Sequence, residues 1–424
     1  MRQLIEGRKL DNAANLFPAI ATRQDPHVYR LTAILQGPVH KDVLQKALDQ
    51  TLPYFKAFDV SLYSGWFRSR LEATPATVLV EEETKVPCSF INPKRRKGVL
   101  FRIVYFRNRI HLEAFHVLTD GTGAMQFLKA LCYRYLQLLH PYSFTEEQLA
   151  TRYGLQDAAN VRDGYYENYA RIKSKTYKEP FAYHIPGLKR KPGNLGVLTA
   201  MLPIQAIKAE SRRLNATISE YLVAVIVAGL MTTYNERNRM KLPINISVPV
   251  NLRPIFETET SLNFFSAITV IIYPTNPPKT FETILDEVKT QFKEKVTKRA
   301  FEEKMAFTVG GEKSLLAYAV PLYLRNWFLR FMYDHFNNGS TMCLSNLGLQ
   351  KVEEPFSPYI KGFRVLLAPT PKEPVKVTVC SYANELTLTF TSKLENNDLA
   401  GSALRILTGS GIPVTIETGG DPYK

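Results

Sequence analysis

The stretch His116-Val-Leu-Thr-Asp120-Gly121 decides the fold, because a strand-like run hands over to a helical one there. Upstream, residues 99–106 and 110–116 are two strand-like runs joined by Arg107-Asn108-Arg109, the pattern of a hairpin. Period-two alternation in the second run puts Ile110, Leu112, Ala114 and His116 on one face. Downstream, Ala124, Leu128, Leu131, Tyr135, Leu138 and Leu139 recur at helical spacing, so a helix is expected just after Gly121 with Thr122 as its N-cap. A side chain at such a junction is held at the edge of a rigid scaffold, where catalytic groups are often displayed. On residue type alone, His116 would more often be a core or surface histidine, so its role has to be argued from its surroundings.

Working outward, residues 28–36 read as a strand, and Gly37-Pro38 leads into a helix over 39–52 whose apolar positions include Val43, Leu44, Ala47 and Leu48. Pro53 ends it. From 141 to 196 the periodicity weakens, and Lys189-Arg190-Lys191-Pro192-Gly193 falls in this region. The expected division is an N-terminal lobe over 1–165, an interlobe connection over 166–196 and a C-terminal lobe over 197–424. In the last, Thr217-Ile-Ser-Glu220 is a capping box opening an apolar helix through Met231. Strands are expected at 243–250, 264–273, 341–346, 363–368, 375–382 and 386–391. Helices are expected around Phe281 to Val296, over 315–336 with a kink at Pro321, and over 398–407. The aromatic-rich stretch 318–336, with Trp327, Phe328, Phe331, Met332 and Tyr333, is read as core packing. Its alternatives are an acyl tunnel or a membrane-facing patch for a lipophilic acceptor.

A chain of 424 residues exceeds the size at which one core stops growing, which agrees with two lobes. The beginning of the chain lacks the uninterrupted apolar run of a secretory signal. The apolar run 221–231 is about half of the ~20 residues a spanning helix needs, so no transmembrane segment is expected. The expected location is the cytoplasm, with peripheral membrane association left open. Cys88, Cys132, Cys343 and Cys380 lie far apart, which suits buried thiols better than a metal site or redox pair, and no metal is expected. The net charge of +15 favours an anionic partner such as anionic lipid, an acidic carrier protein or a phosphorylated cofactor. No helix-turn-helix, zinc-finger or RNA-binding signature accompanies that charge, so nucleic acid is not expected.

The pattern His116-x-x-x-Asp120-Gly121 resembles the active-site motif of the chloramphenicol acetyltransferase-like superfamily. That group includes alcohol acetyltransferases, plant acyltransferases, polyketide-associated acyltransferases and peptide-synthetase condensation domains. Residues 28–53 look like its first βα unit, and Ser247-Val-Pro-Val-Asn-Leu-Arg253 like its second-lobe strand. Asn263 follows where an asparagine is expected, and Ser345-Asn346-Leu347-Gly348 resembles the segment that crosses toward the other lobe. The likeness covers nearly the whole chain in order. Two departures stand out: Phe115 replaces the first of two adjacent histidines carried by many members, and the Asp-Phe-Gly-Trp-Gly segment of the plant branch is missing. Phe115 should point into packing, opposite to its neighbour.

The resemblance implies an α/β (α+β) fold of two such lobes, each a mixed sheet with helices on one side, and an active-site channel between them. It implies an acyltransferase in which His116 is the general base, taking a proton from a hydroxyl or amine that attacks a thioester, with direct transfer and no covalent enzyme intermediate. A neutral imidazole near its ordinary pKa of roughly 6.5 suits that work. Asp120 would pair with Arg253 as a scaffold, and Gly121 would allow a tight turn and leave space beside the ring. Ser345 or Asn346 would face the oxyanion, and Asn263 would be a further substrate-side contact. No permanently bound cofactor is implied; acyl-coenzyme A is the expected co-substrate, or else a phosphopantetheinyl carrier protein. Lys189, Arg190 and Lys191 are the first candidates for the coenzyme phosphates, with Arg237, Arg239 and Lys241 second. Two other readings stay open, a carrier-dependent condensation or acyl-unloading enzyme and a catalytically silent binding protein on the same fold.

Overall fold

Val28–Leu35 is buried along its whole length as an inner strand of a five-stranded sheet in the computed structural model of the chain. The structure describes all residues except 1–7, 74–76, 94–97, 156–157, 173–178, 192, 239, 313–319, 337–338 and 419–424, and the side chains of 235–238, 311–312 and 334–336. The run Val-Tyr-Arg-Leu-Thr-Ala-Ile-Leu alternates two kinds of side chain. Tyr29, Leu31, Ala33 and Leu35 enter the apolar core, whereas Arg30 and Thr32 face a buried polar network. In it Arg30 donates to Glu113 at 2.9 Å and pairs with Glu83, Arg102 reaches Glu113 at 2.6 Å, and Thr32 bonds His111 Nδ1 at 2.8 Å. Each buried charge is thereby compensated, which is what permits a charged face inside the molecule.

The strand order of this sheet is Ile360–Leu367, Val28–Leu35, Arg109–Phe115, Phe101–Phe106, Val80–Glu82. All neighbours are antiparallel except the last pair. The expected hairpin is present, and Arg107 turns it with a φ of 51°. The helices Lys41–Thr51 and Gly121–Leu139 pack on one another, the latter also against Val28–Leu35. The second sheet is seven-stranded and mixed, in the order Phe265–Ile272, Ile244–Asn251, Met342–Gln350, Val375–Tyr382, Glu385–Ser392, Gly196–Pro203, Thr415–Thr418. Met342–Gln350 runs parallel to both of its neighbours and the rest are antiparallel. Ile218–Asn238 packs against Phe281–Lys295 and Asp398–Gly409. A three-stranded sheet, Arg8–Lys9, Ser69–Ala73 and Val60–Ser64, completes the molecule. The two mixed sheets with their helices give the two-lobed α/β architecture.

Several expectations are revised. The helix after the motif is Gly121–Leu139 and its N-cap is Asp120, not Thr122, because a carboxylate reaches the free N–H groups of Thr122 and Gly123, each at 3.1 Å. The helix expected over 315–336 is Leu322–Phe336, beginning after Pro321, so Pro321 starts a helix and kinks none. Its first expected residues, Leu315 to Tyr318 included, lie outside the described residues. Of the aromatic stretch read as core, Trp327, Phe328 and Phe331 are exposed. The sheets also cut across the expected lobe ranges: Ile360–Leu367, numbered within 197–424, pairs with Val28–Leu35 in the first sheet. The apolar clusters follow the sheets, since Phe356, Phe363 and Val365 belong to the same cluster as Leu31 and Leu112. Among the described residues no single helix is long and apolar enough to cross a membrane. The bent pair Ile204–Arg213 and Ile218–Tyr234 passes that test only when joined across an 85° break. Tyr221 to Leu230 of the second helix lie in the core.

Candidate active site

His116 follows directly on Arg109–Phe115, past the last paired residue, Phe115, which is fully buried as expected. The turn that carries the imidazole is held from several sides. His116 N donates to His27 O at 3.1 Å, and the Tyr29 hydroxyl donates to Thr119 O at 3.0 Å and Asp120 O at 3.2 Å. Thr119 Oγ1 donates to Ser261 O at 2.6 Å, tying the turn to the segment that follows the one-turn helix Arg253–Phe256.

Asp120 is almost wholly buried and turns away from His116 toward the chain around 250–264. Its carboxylate accepts Thr122 N and Gly123 N, Phe264 N at 2.9 Å, and both terminal nitrogens of Arg253 at 2.8 and 3.2 Å. The guanidinium is spent as fully, donating to Thr260 O at 2.9 Å, Leu262 O at 2.6 Å and Asn251 Oδ1 at 3.1 Å. These bonds compensate the cost of burying two charges and fix where Asn263 stands.

Asn263 is the residue that addresses the imidazole. Its Nδ2 donates to Asp11 Oδ2 at 3.0 Å and to His116 O at 3.2 Å, leaving Oδ1 3.3 Å from His116 Nδ1. An amide oxygen accepts, so Nδ1 carries the proton and Nε2 keeps its lone pair. Asp11 is buried and accepts Ala14 N at 2.7 Å as well; burial pushes its carboxyl up to about 7 against those bonds. The imidazole lies among rings: Phe17 stacks on it at 4.8 Å, Tyr29 tilts against it at 4.9 Å and Phe265 stands at 5.6 Å. This burial pushes its pKa down to about 4, with Asp120 opposing the shift and His27 adding to it. The ring is therefore neutral at pH 7.

Neither Asp11 nor Phe17 was singled out in the sequence. Both come from a loop and a one-turn helix without usable periodicity.

Gly121 has a different surrounding from the one expected, and Gly123 has a packing role of its own. Gly121 has no left-handed φ, and a Cβ there would sit 3.3 Å from Leu347. Its contact is with the crossing strand and not with the imidazole. At Gly123 a Cβ would come within 2.2 Å of Thr119 Oγ1 and 2.5 Å of Ser261 O, so that glycine permits the close approach. Asn346 donates to Ser219 Oγ at 3.1 Å and accepts Gly348 N at 2.8 Å, which commits its amide to the helix Ile218–Asn238 and to its own strand. Ser345 lies in the same strand, in register with Thr378. Arg190 is engaged elsewhere, donating through Nε to Leu394 O at 2.8 Å, and Lys189 bridges to Leu394. Lys189 and Lys191 are exposed. Arg239 lies outside the described residues, as does the side chain of Arg237.

A cavity of about 640 Å³ opens beside this centre, walled by Gly121, Gln126 and Lys129 on one side and Arg253, Thr260 and Leu347 on the other. The Lys189–Lys191 cluster does not line it, and neither does His116. This cavity is bounded by Gly121 and Arg253, and the ring-packed imidazole stands a few residues before Gly121 in the chain. The four cysteines are free, and burial pushes the thiols of Cys132, Cys343 and Cys380 up to about 12 and that of Cys88 higher still. None is a nucleophile at neutral pH.

No protein-family model and no curated protein matches the chain. Solved structures do. Polyketide synthase associated protein 5 from Mycobacterium tuberculosis is similar at 14% identity and a TM-score of 0.58, over 95% of this chain and 97% of that one. Trichothecene 15-O-acetyltransferase from Fusarium sporotrichioides is similar at 11% identity and a TM-score of 0.59, over 95% and 94%. The starter condensation domain of rhizomide synthetase, as a mutant in complex with C8-CoA and Leu-SNAC, is similar at 13% identity and a TM-score of 0.58, over 95% and 93%. Likeness at such identities over nearly whole chains is likeness of fold, and the chain has the two-lobed fold that these solved structures share.

Proposed function

We propose that the chain is an acyltransferase that moves an acyl group from acyl-coenzyme A to a hydroxyl or amine, with His116 as general base. The observation that carries this reading is the contact of Asn263 Oδ1 with His116 Nδ1 at 3.3 Å, which leaves Nε2 as the proton acceptor. Nε2 takes the proton of the acceptor as its oxygen or nitrogen attacks the thioester carbonyl. The tetrahedral intermediate collapses with rupture of the C–S bond, and the proton held by His116 passes to the departing thiolate. The Ser345 hydroxyl is assigned to the oxyanion, because the Asn346 amide is committed to Ser219 and Gly348. Asp120 and Arg253 act as scaffold, and acyl-coenzyme A comes and goes with each turnover. The fold supports the reading, since its solved relatives include an acetyltransferase and a condensation domain crystallised with an acyl-coenzyme A.

The test is release of free thiol when acyl-coenzyme A of graded chain length is mixed with candidate alcohols and amines. A blank without acceptor subtracts the signal of the protein's own four thiols. His116→Ala is expected to lower the rate about 10²- to 10⁴-fold with the melting curve unchanged. Turnover that survives this change refutes the assignment. A phosphopantetheinyl carrier as donor is the second reading, favoured by the net charge of +15, which would attract an acidic carrier. Acyl transfer from a loaded carrier in the absence of coenzyme A distinguishes the two.

A further inference from the structure

The chain contains two tryptophans, and both are on the surface: Trp66 is 85% exposed and Trp327 67%. Trp66 lies in the turn between Val60–Ser64 and Ser69–Ala73, beside exposed Phe67. Trp327 lies on Leu322–Phe336, where Tyr323, Trp327 and Phe331 recur at every fourth residue and Phe328 widens the stripe, all of them exposed. The two elements are neighbours, since Leu322 N donates to Trp66 O at 2.8 Å. Trp327 and Phe331 stack at 5.9 Å without burying each other. Exposed aromatic side chains gathered on two adjoining elements mark an interaction site.

Its composition selects the occupant. Residues 60–73 and 322–336 carry Arg68, Arg70, Arg325 and Arg330 against two acids, Glu72 and Asp334; Arg70 pairs with Glu72 at 2.6 Å, Arg330 is exposed on the helix of the stripe, and the whole chain is positive at +15. Tryptophan and tyrosine with an apolar stripe and flanking arginines fit the boundary between lipid headgroups and acyl chains, where the rings are half wet and the cations meet anionic lipid. The inner side of the same helix leads to the imidazole: Tyr333 donates to Asp25 at 2.9 Å and its ring stands 5.7 Å from that of His27, which is 5.6 Å from Phe17, the ring stacked on His116. We infer that the turn at Trp66 and the outer face of Leu322–Phe336 dock the protein on an anionic phospholipid surface. Docking itself does not depend on the acyl-transfer reading; only the corollary, that the acceptor is a membrane-dissolved amphiphile, rests on it.

The tryptophans report on the patch directly. With the full chain, vesicles of phosphatidylcholine carrying about one third phosphatidylglycerol are expected to shift the emission to the blue and to carry the protein in flotation, an effect that weakens with rising salt. Trp66→Phe and Trp327→Phe each leave one reporter, and both reporters are expected to shift. Arg330→Ala is expected to weaken binding about fivefold at low salt. Paired Trp327→Ala and Phe331→Ala changes are expected to weaken it tenfold or more, by about the transfer cost of one large apolar group. Because these side chains are exposed, an unchanged melting curve separates lost docking from lost folding. His116→Ala is expected to bind vesicles like the parent, so failure of the catalytic assignment leaves this result standing. The inference is overturned if emission is unmoved by anionic vesicles. It is equally overturned if the shift follows protein concentration without lipid, as for a second copy, or if an acidic carrier protein produces it and vesicles do not.

Discussion

At the scale of the residue, the site turns on what surrounds one imidazole. Burial among Phe17, Tyr29 and Phe265 disfavours the protonated ring and holds its pKa at about 4. Two pH consequences follow from that direction. If His116 is the proposed general base, its neutral form is present above pH 4, so kcat/KM is expected to stay level down to about pH 5 and then to fall. The unfolded chain takes up this proton first, so the stability contributed by the neutral ring is complete above its unfolded value of about 6.5 and is lost as pH falls through 4. Phe17→Ala opens the ring to water and is expected to move the acid limb of kcat/KM upward by about one unit or more; an unmoved limb denies Phe17 that role. Asn263→Ala removes the acceptor that holds the proton on Nδ1, and a loss in kcat of about tenfold or more at little change in KM is expected from steady-state kinetics. Asp11→Ala frees Asn263 to rotate and should show part of the same loss. His116, Asp120, Arg253 and Asn263 were legible in the sequence because each sits at a fixed place in an ordered pattern. Asp11 and Phe17 were not, because the loop that brings them has no period to read and meets Asn263 only through the fold.

The element that matters most is the start of Gly121–Leu139, where capping and ion pairing fall on Asp120 and close packing on Gly123. Asp120 does the work of an N-cap and of a partner for Arg253, and both depend on a single rotamer. Arg253→Leu leaves that carboxylate buried without its cation and is expected to cost about 3–5 kcal/mol in denaturant unfolding. A loss below about 1 kcal/mol would mean that solvent already reaches the pair. Gly123→Ala drives a methyl group against Thr119 Oγ1 and Ser261 O, so a loss of about 1–3 kcal/mol is expected, with kcat falling as the turn shifts. The sequence placed this helix to within a residue but assigned its cap to Thr122, since hydroxyl and carboxylate caps look alike in sequence. Choosing between them needs the backbone, which brings the Thr122 and Gly123 N–H groups each to 3.1 Å from the Asp120 carboxylate. The stripe Tyr323, Trp327, Phe331 was equally visible as a helical face. Periodicity says which side chains share a side, not whether that side meets core or solvent, and the core reading failed for that reason.

Across the whole molecule, the two halves are joined by more than the candidate site. Ile360–Leu367 leaves the C-terminal half to pair with Val28–Leu35, and its buried side chains belong to the first apolar cluster. No linear reading divides such a chain cleanly, because a strand's partner is set by sheet topology and the sequence shows only that residues 363–368 are strand-like. The arrangement predicts how fragments behave. Residues 1–165 alone would present the edge of Val28–Leu35 unpaired, a row of free N–H and C=O groups beside apolar side chains, which templates association between copies. Fusing residues 353–371 to that fragment through a flexible linker supplies the missing strand in cis, where loop closure costs little at moderate length. Size-exclusion chromatography is expected to find the bare fragment aggregated and the fusion largely monomeric. A monomeric bare fragment would mean that the first sheet closes without its guest strand. The expected boundary near 166–196 would then describe the folding units, even though the native sheets ignore it.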